Sequence, residues 1–293
     1  MKEFKPFALT IWLLAAMLWF GSCKKTEEVL IPDNTPPTDE TIDNITVESY
    51  VNRTYIMLLG RKPDDTEMQA GVVTLRANNL SQANRESFVN SLLDDPRYFY
   101  NTYDIWRNYL LSNTDTTQVR EQLDLFVYLQ TDSTYIAFWD ALAFEEGRLR
   151  DVVSIPDELI AGTLDFTEMQ KRLTDNYFYD QLNMGTQNFV ISHFQKLFFR
   201  YPTEAELAQA EAMVNGLPSF LFLESGKNRD DFLRIFYASD GYKEGQVVWL
   251  YNKLLYRQPD SREMTDQTKL YKDTGDIHNV LRFILTSDEF IGL

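Results

Sequence analysis

The sequence predicts an all-α, multi-helical protein built from repeated helix-turn-helix modules with capped turns. Two observations carry the prediction. A motif of the form Val-x3-[Tyr/Phe]-x2-Leu-[Leu/Phe]-x-Arg-x-Pro-x3-Glu occurs three times, and its apolar residues at offsets 0, 4, 7 and 8 draw one face of a helix. No alternating apolar and polar run is long enough to demand a strand, although Asp151-Val152-Val153-Ser154-Ile155 has the composition of a short one.

Taken in chain order, residues 1–22 come first. Lys2 and Lys5 make a basic start, Phe7 to Phe20 an apolar run, and Gly21 and Ser22 precede Cys23, the only cysteine. The run is shorter than the ~20 apolar residues of a spanning helix. The segment resembles a bacterial lipoprotein signal, with Phe20 where that signal usually has Leu. The resemblance implies lipidation of Cys23, which would become the mature N-terminus and hold the protein to a membrane. Lys24 follows the cysteine in place of the Asp that retains lipoproteins at the inner membrane of enteric bacteria. The expected address is therefore the outer membrane, at its periplasmic face or at the cell surface, and Cys-Lys-Lys resembles many Bacteroidetes lipoproteins.

Residues 23–46 are rich in Thr, Pro and acids and read as a flexible acidic tether. The whole chain carries a formal charge of -16, and removal of residues 1–22, with Lys2, Lys5 and Glu3, makes it one unit more negative. That sign repels phosphate backbones and anionic headgroups, so nucleic acid is not an expected partner. With 44% hydrophobic residues, including 20 Phe and 16 Tyr, the chain has ample material for a packed core.

Module 1 is expected over residues 47–112. Its motif is Val51, Tyr55, Leu58, Leu59, Arg61, Pro63 and Glu67. A tandem pair, modules 2 and 3, is expected over 186–293. Their copies are Val190, Phe194, Leu197, Phe198, Arg200, Pro202 and Glu206, then Val247, Tyr251, Leu254, Leu255, Arg257, Pro259 and Glu263. Each helix must end ahead of its proline, which disfavours helical geometry in the preceding residue. After the proline, Asp64, Thr203 or Asp260 stands three residues before the motif glutamate, the spacing of a capping box. The arginines fall at helix C-termini, where a cation meets free carbonyls and the negative end of the dipole. A shared anion contact at Arg61, Arg200 and Arg257 is the alternative use. Each copy closes on an apolar stretch, a cap and an aromatic, with Asp95, Ser239 and Ser287 as the caps. A fourth closing half, Leu173 to Phe178, lacks a convincing opening half.

Residues 113–185 form an aromatic-rich helical middle region. Trp106, Tyr135, Trp139 and Trp249 have the makings of sugar-stacking residues, but helical recurrence of their neighbours favours the core. Leu58-Leu59-Gly60-Arg61-Lys62-Pro63 with its closure resembles the phycobilisome-linker-like repeats of bacterial exported proteins. Leu92 to Tyr98 with Trp106 to Leu110, and Leu254 to Pro259 through Phe290, resemble uncharacterised domains attached to planctomycete c-type cytochromes. The chain has no Cys-x-x-Cys-His, so covalent haem and the redox role that goes with it are excluded.

The search for chemistry yields little. His193 and His278 are the only histidines, and no nucleophile elbow, phosphate loop or dinucleotide turn is present. His193 reads as a partly exposed helix residue. Glu145, Glu146, Asp151, Asp157 and Glu158 supply acids for a two-carboxylate glycosidase or a calcium site, without a motif for either. No catalytic residue, cofactor or metal is assigned. The expected function is a noncatalytic, lipid-anchored scaffold that binds an envelope protein; the alternative is a cell-surface glycan-binding protein or a carboxylate-dependent glycan hydrolase.

Overall fold

Asp43 starts the first helix by accepting a hydrogen bond from the Ile45 amide. A computed structural model of the chain describes residues Ile42–Leu293; the expected signal, Cys23 and the expected tether up to residue 41 lie outside the described residues. Asn44–Thr46, included in the tether on sequence grounds, are the first turn of α1, because the Asp43 cap places the helix start there.

Module 1 contains α1 (Asn44–Leu59), α2 (Asp65–Arg76), α3 (Gln82–Leu93) and α4 (Pro96–Leu110). The middle region contains α5 (Thr116–Leu129), a 3₁₀ turn (Ser133–Phe138), α6 (Trp139–Ile160), α7 (Phe166–Thr174) and α8 (Tyr177–Leu182). In module 2, α9 (Thr186–His193) runs into a π-helical turn (Phe194–Phe198), followed by α10 (Glu204–Val214) and α11 (Arg229–Ala238). Module 3 is α12 (Asp240–Leu255), α13 (Ser261–Thr274), α14 (His278–Leu285) and α15 (Asp288–Ile291). The fold is all-α, and its only strands among the described residues are β1 (Ser219–Leu221) and β2 (Glu224–Gly226). They form an antiparallel hairpin with Phe220 opposite Ser225. The stretch Asp151–Ile155 lies inside α6: Val152 and Ile155 are three apart and both fully buried, a helical spacing that the short alternation concealed.

Adjacent modules share helices. Ser239 closes module 2 by capping α12, and α12 carries the motif that opens module 3. Asp95 likewise closes module 1 by capping α4. α4 then opens a fourth, degenerate module, because Asp115 and Gln118 form a capping box at the start of α5. Thr102, Trp106, Tyr109 and Leu110 occupy the four helix-face positions of the motif, with Ser112 and Thr114 where the arginine and proline would stand. That is the opening half missing from the sequence reading. Asn176 caps α8 and provides the closing half.

Two apolar cores result. Residues from Val47 to Tyr98 pack with Val247 to Ile291, so module 1 shares its core with module 3. The second core runs from Tyr103 to Tyr242 and joins module 2 to the middle region. Trp249, Phe99 and Phe166 pack against both. Polar ties reinforce the first pairing: Arg53 donates to the Phe290 carbonyl at 2.6 Å, and Arg85 donates to the Thr286 carbonyl at 3.0 Å and to Asp288 at 2.6 Å. Module 2 meets α12 at Gly245, where a Cβ would stand 1.8 Å from the Leu197 carbonyl oxygen.

Candidate functional site

The motif residues meet at three junctions of one design. Each helix ends two residues before its arginine, through a residue in the left-handed conformation: Gly60 (φ 69°), Phe199 (φ 56°) or Tyr256 (φ 56°). Arg61 then donates through Nη1 and Nη2 to Glu67 at 2.7 and 2.6 Å, and through Nη1 to the Lys62 carbonyl at 2.9 Å. Arg200 makes the same fork on Glu206 at 2.8 and 2.6 Å, and Arg257 on Glu263 at 2.7 Å for both bonds. The glutamates also complete capping boxes with Asp64, Thr203 and Asp260. In each copy the guanidinium lies over the motif aromatic, 5.7 Å from Tyr55, 5.1 Å from Phe194 and 5.2 Å from Tyr251.

One arginine thus ties the helix before the turn to the helix after it. The arginines take the carbonyl just ahead of the proline, where sequence reasoning expected the last carbonyls of the preceding helix. The guanidinium hydrogen bonds hold the Glu67 and Glu206 carboxyls down to about 2. Position N2 of the closing helix varies around the same geometry. Arg97 reaches Glu67 in module 1, Glu289 reaches Arg257 in module 3, and Gly241 in module 2 leaves room for Phe198. Each fork is closed on the glutamate of its own copy, so the three junctions are mechanical staples.

The largest departure from the staple pattern is the hairpin of α5 and α6. Its inner face, Val119, Leu123, Phe126, Leu149 and Val152, is buried. Its tip carries Tyr128, Ile136, Phe138 and Phe144, which are 63, 62, 62 and 64% exposed. Trp139 pins the turn by donating to the Leu129 carbonyl at 3.2 Å, and Asp132 caps it through the Thr134 amide. Glu121, Asp124 and Asp140 are exposed along the same hairpin. The tip therefore presents apolar side chains beside exposed acids, with the Arg148 guanidinium 5.2 Å from the Phe144 ring. The core expectation holds for Trp106, which stacks on Trp249 with centroids 4.5 Å apart. It fails for Tyr135, which a 3₁₀ turn with no buried residue leaves outside.

A groove of about 300 Å³ runs between α7 and the α13–α14 turn, lined by Phe166, Tyr271, His278, Asp165 and Asp276. The His278 ring bonds Asp276 at 2.8 Å and stands edge-on to Phe166. Hydrogen bonding from His278 lowers the Asp276 carboxyl. His193 is not partly exposed: it is fully buried, because it lies between Val190 and Leu197 on the inward face of its helix. Phe189, Phe232 and Phe236 surround it, and burial depresses its imidazole to about 3. Of the acids singled out in the middle region, Glu145 pairs with Arg148, Glu146 with Arg150, Glu158 with Arg172, and Asp157 accepts from Tyr100. Among the described residues no group of three His, Cys, Asp or Glu side chains is set to hold a metal. No described helix is long and apolar enough to cross a membrane.

No protein-family model matches the chain, and no curated protein or solved structure matches it.

Proposed function

We propose that this chain is a noncatalytic, lipid-anchored envelope protein that acts as a protein-binding scaffold at the outer membrane, with the α5–α6 tip as its binding face. The observation that carries the reading is the exposed quartet Tyr128, Ile136, Phe138 and Phe144 on a hairpin whose other face is packed. Isolated exposed apolar residues are ordinary, but four large ones between residues 128 and 144 of one hairpin mark an interaction surface. The acids beside it favour a partner with an apolar centre and a basic rim, and disfavour anionic headgroups. The closed Arg-Glu staples support the noncatalytic part, since the repeated polar residues are engaged with each other. The segment ending at Cys23 supports the anchor, and several acyl chains of the lipoprotein type would hold firmly where a single chain would not.

The test is in-cell crosslinking from position 138, comparing the native chain with an Ile136→Asp, Phe138→Asp, Phe144→Asp variant and with Cys23→Ala. The triple variant should melt as the native protein does and lose its crosslinked partner, and Cys23→Ala should lose it by leaving the membrane. A partner retained by the triple variant would remove the tip from the proposal. Glycan binding is the second reading, favoured by the groove in which aromatic rings flank Asp165 and Asp276. Polysaccharide retained by the native chain and lost in Phe166→Ser would support that reading instead.

A further inference from the structure

The turn of the β1–β2 hairpin is built from residues that neither its backbone nor its exposure would select. Phe222 (φ 51°) and Leu223 (φ 69°) both take the left-handed region, where a side chain is costly and Asn-Gly is the usual pair. Phe222 has a packing reason, since its ring lies 6.1 Å from Phe194 and 5.9 Å from Phe198. Leu221 beside it is fully buried, and Asp231 holds the exit of β2 by accepting from the Lys227 amide at 2.9 Å. The hairpin is therefore fixed to the body. Leu223 has no such reason: it is 98% exposed, whereas Leu80, the other left-handed leucine among the described residues, is buried. Phe220 and Leu217 are 63 and 60% exposed, and Phe220 lies on the strand face opposite Leu221. Backbone strain kept at a residue with nothing to pack on points to a contact outside the chain.

The chemistry of the segment selects the partner. Ala212 to Leu223 contains no charged residue, in a chain a quarter of whose residues are charged. The first charge beyond the turn, Glu224, is paired with Arg234 at 2.9 Å. Such a run suits hydrocarbon, where a charged side chain is expensive. Pro218, just ahead of β1, lacks an amide donor and blunts the hairpin edge against an added strand. Leu221 pairs with Glu224 across the turn, so the side chains can enter lipid without an unpaired strand following them. We propose that the hairpin is a shallow membrane-inserting tip: Leu217, Phe220 and Leu223 enter the apolar boundary of a zwitterionic bilayer while the backbone stays at headgroup depth. This inference rests on the lipid anchor of the proposed function, which brings the body to the bilayer. Residues 24–41 span at most roughly 60 Å when extended, so the anchor limits distance without setting orientation, and the hairpin sets it. The chain's negative charge favours an uncharged lipid surface over an anionic one.

The test holds the body at a membrane whether or not Cys23 is lipidated. The full chain with Cys23→Ala and Leu223→Cys, or Leu217→Cys as a second probe, is labelled with an environment-sensitive dye. An N-terminal hexahistidine tag then tethers it to phosphatidylcholine vesicles that carry a nickel-chelating lipid. The dye should be quenched by spin-labelled lipid and spared by aqueous iodide, and added phosphatidylglycerol should reverse part of that protection. Phe220→Ser should leave the melting temperature unchanged and lower the inserted-to-free ratio about tenfold, the effect of withdrawing one large apolar side chain. Iodide quenching of both probe positions on the vesicles overturns the proposal. Protection that follows protein concentration instead of lipid assigns the hairpin to a second copy of the chain and overturns it too. The anchor is read separately: the native chain, whose only cysteine is Cys23, should take no dye when isolated from cells. A labelled native chain fails the anchor reading and leaves the vesicle result to decide the hairpin.

Discussion

At the residue scale, the choice of arginine at Arg61, Arg200 and Arg257 follows from geometry. A planar fork reaches both oxygens of a glutamate, donates to a carbonyl and lies flat over a ring, whereas lysine offers one compact ammonium. Arg200→Lys should therefore lower stability by about 1 kcal/mol despite keeping the charge, a large value for a pair this exposed. Chemical denaturation of Arg200→Lys, Glu206→Gln and the double variant reads the coupling directly. Glu206 is held at about 2 in the folded protein, below the ~4.3 of an unfolded glutamate. A depressed carboxyl stabilises above the unfolded value, so the coupling should be full at neutral pH and fade as pH falls from about 4 towards 2. No coupling at neutral pH would reduce the fork to a cap.

At the element scale, helices and their capped starts were legible because both rest on short-range chemistry. Asp64, Thr203 and Asp260 each announce a helix within four residues, and the structure places a capping box at each. The remaining features depend on tertiary partners or on unusual local residues. The β1–β2 turn uses Phe222 (φ 51°) and Leu223 (φ 69°) where Asn-Gly would normally advertise a hairpin. The fourth opening half was hidden because Ser112 and Thr114 replace the two most recognisable motif residues. The arginine forks were invisible for another reason: the sequence places arginine and glutamate six residues apart, and only the extended proline segment with the capped start of the next helix folds them face to face. Gly245 is similar, an ordinary helix residue until the close approach of Leu197 is known. Gly245→Ala should cost about 3 kcal/mol by overpacking, or roughly 6–12 °C in melting temperature for a unit of this size. A melting curve unchanged by that substitution would mean that α12 and the π-helical turn do not approach so closely in solution.

At the scale of the whole molecule, the tandem order along the chain is not the order of packing. Modules 2 and 3 are consecutive, yet module 3 completes the core of module 1, while module 2 joins the middle region. The candidate surfaces follow from this arrangement: the α5–α6 hairpin lies within the degenerate module, whose own second helix is α5, and the aromatic groove lies between α7 and the α13–α14 turn. A chain ending at Gly275 lacks α14 and α15, and should expose Tyr50 and Phe88, which Phe290 and its neighbours otherwise help to cover. Binding of a hydrophobic dye and loss of a cooperative transition are the expected readouts; a native-like transition would show that module 1 is self-sufficient. The Arg53–Phe290 tie spans nearly the entire described chain. During synthesis, therefore, the helices of module 1 emerge from the ribosome well before those of module 3 that complete their core, and throughout that interval the nascent polypeptide holds an unfinished apolar face that a chaperone can grip.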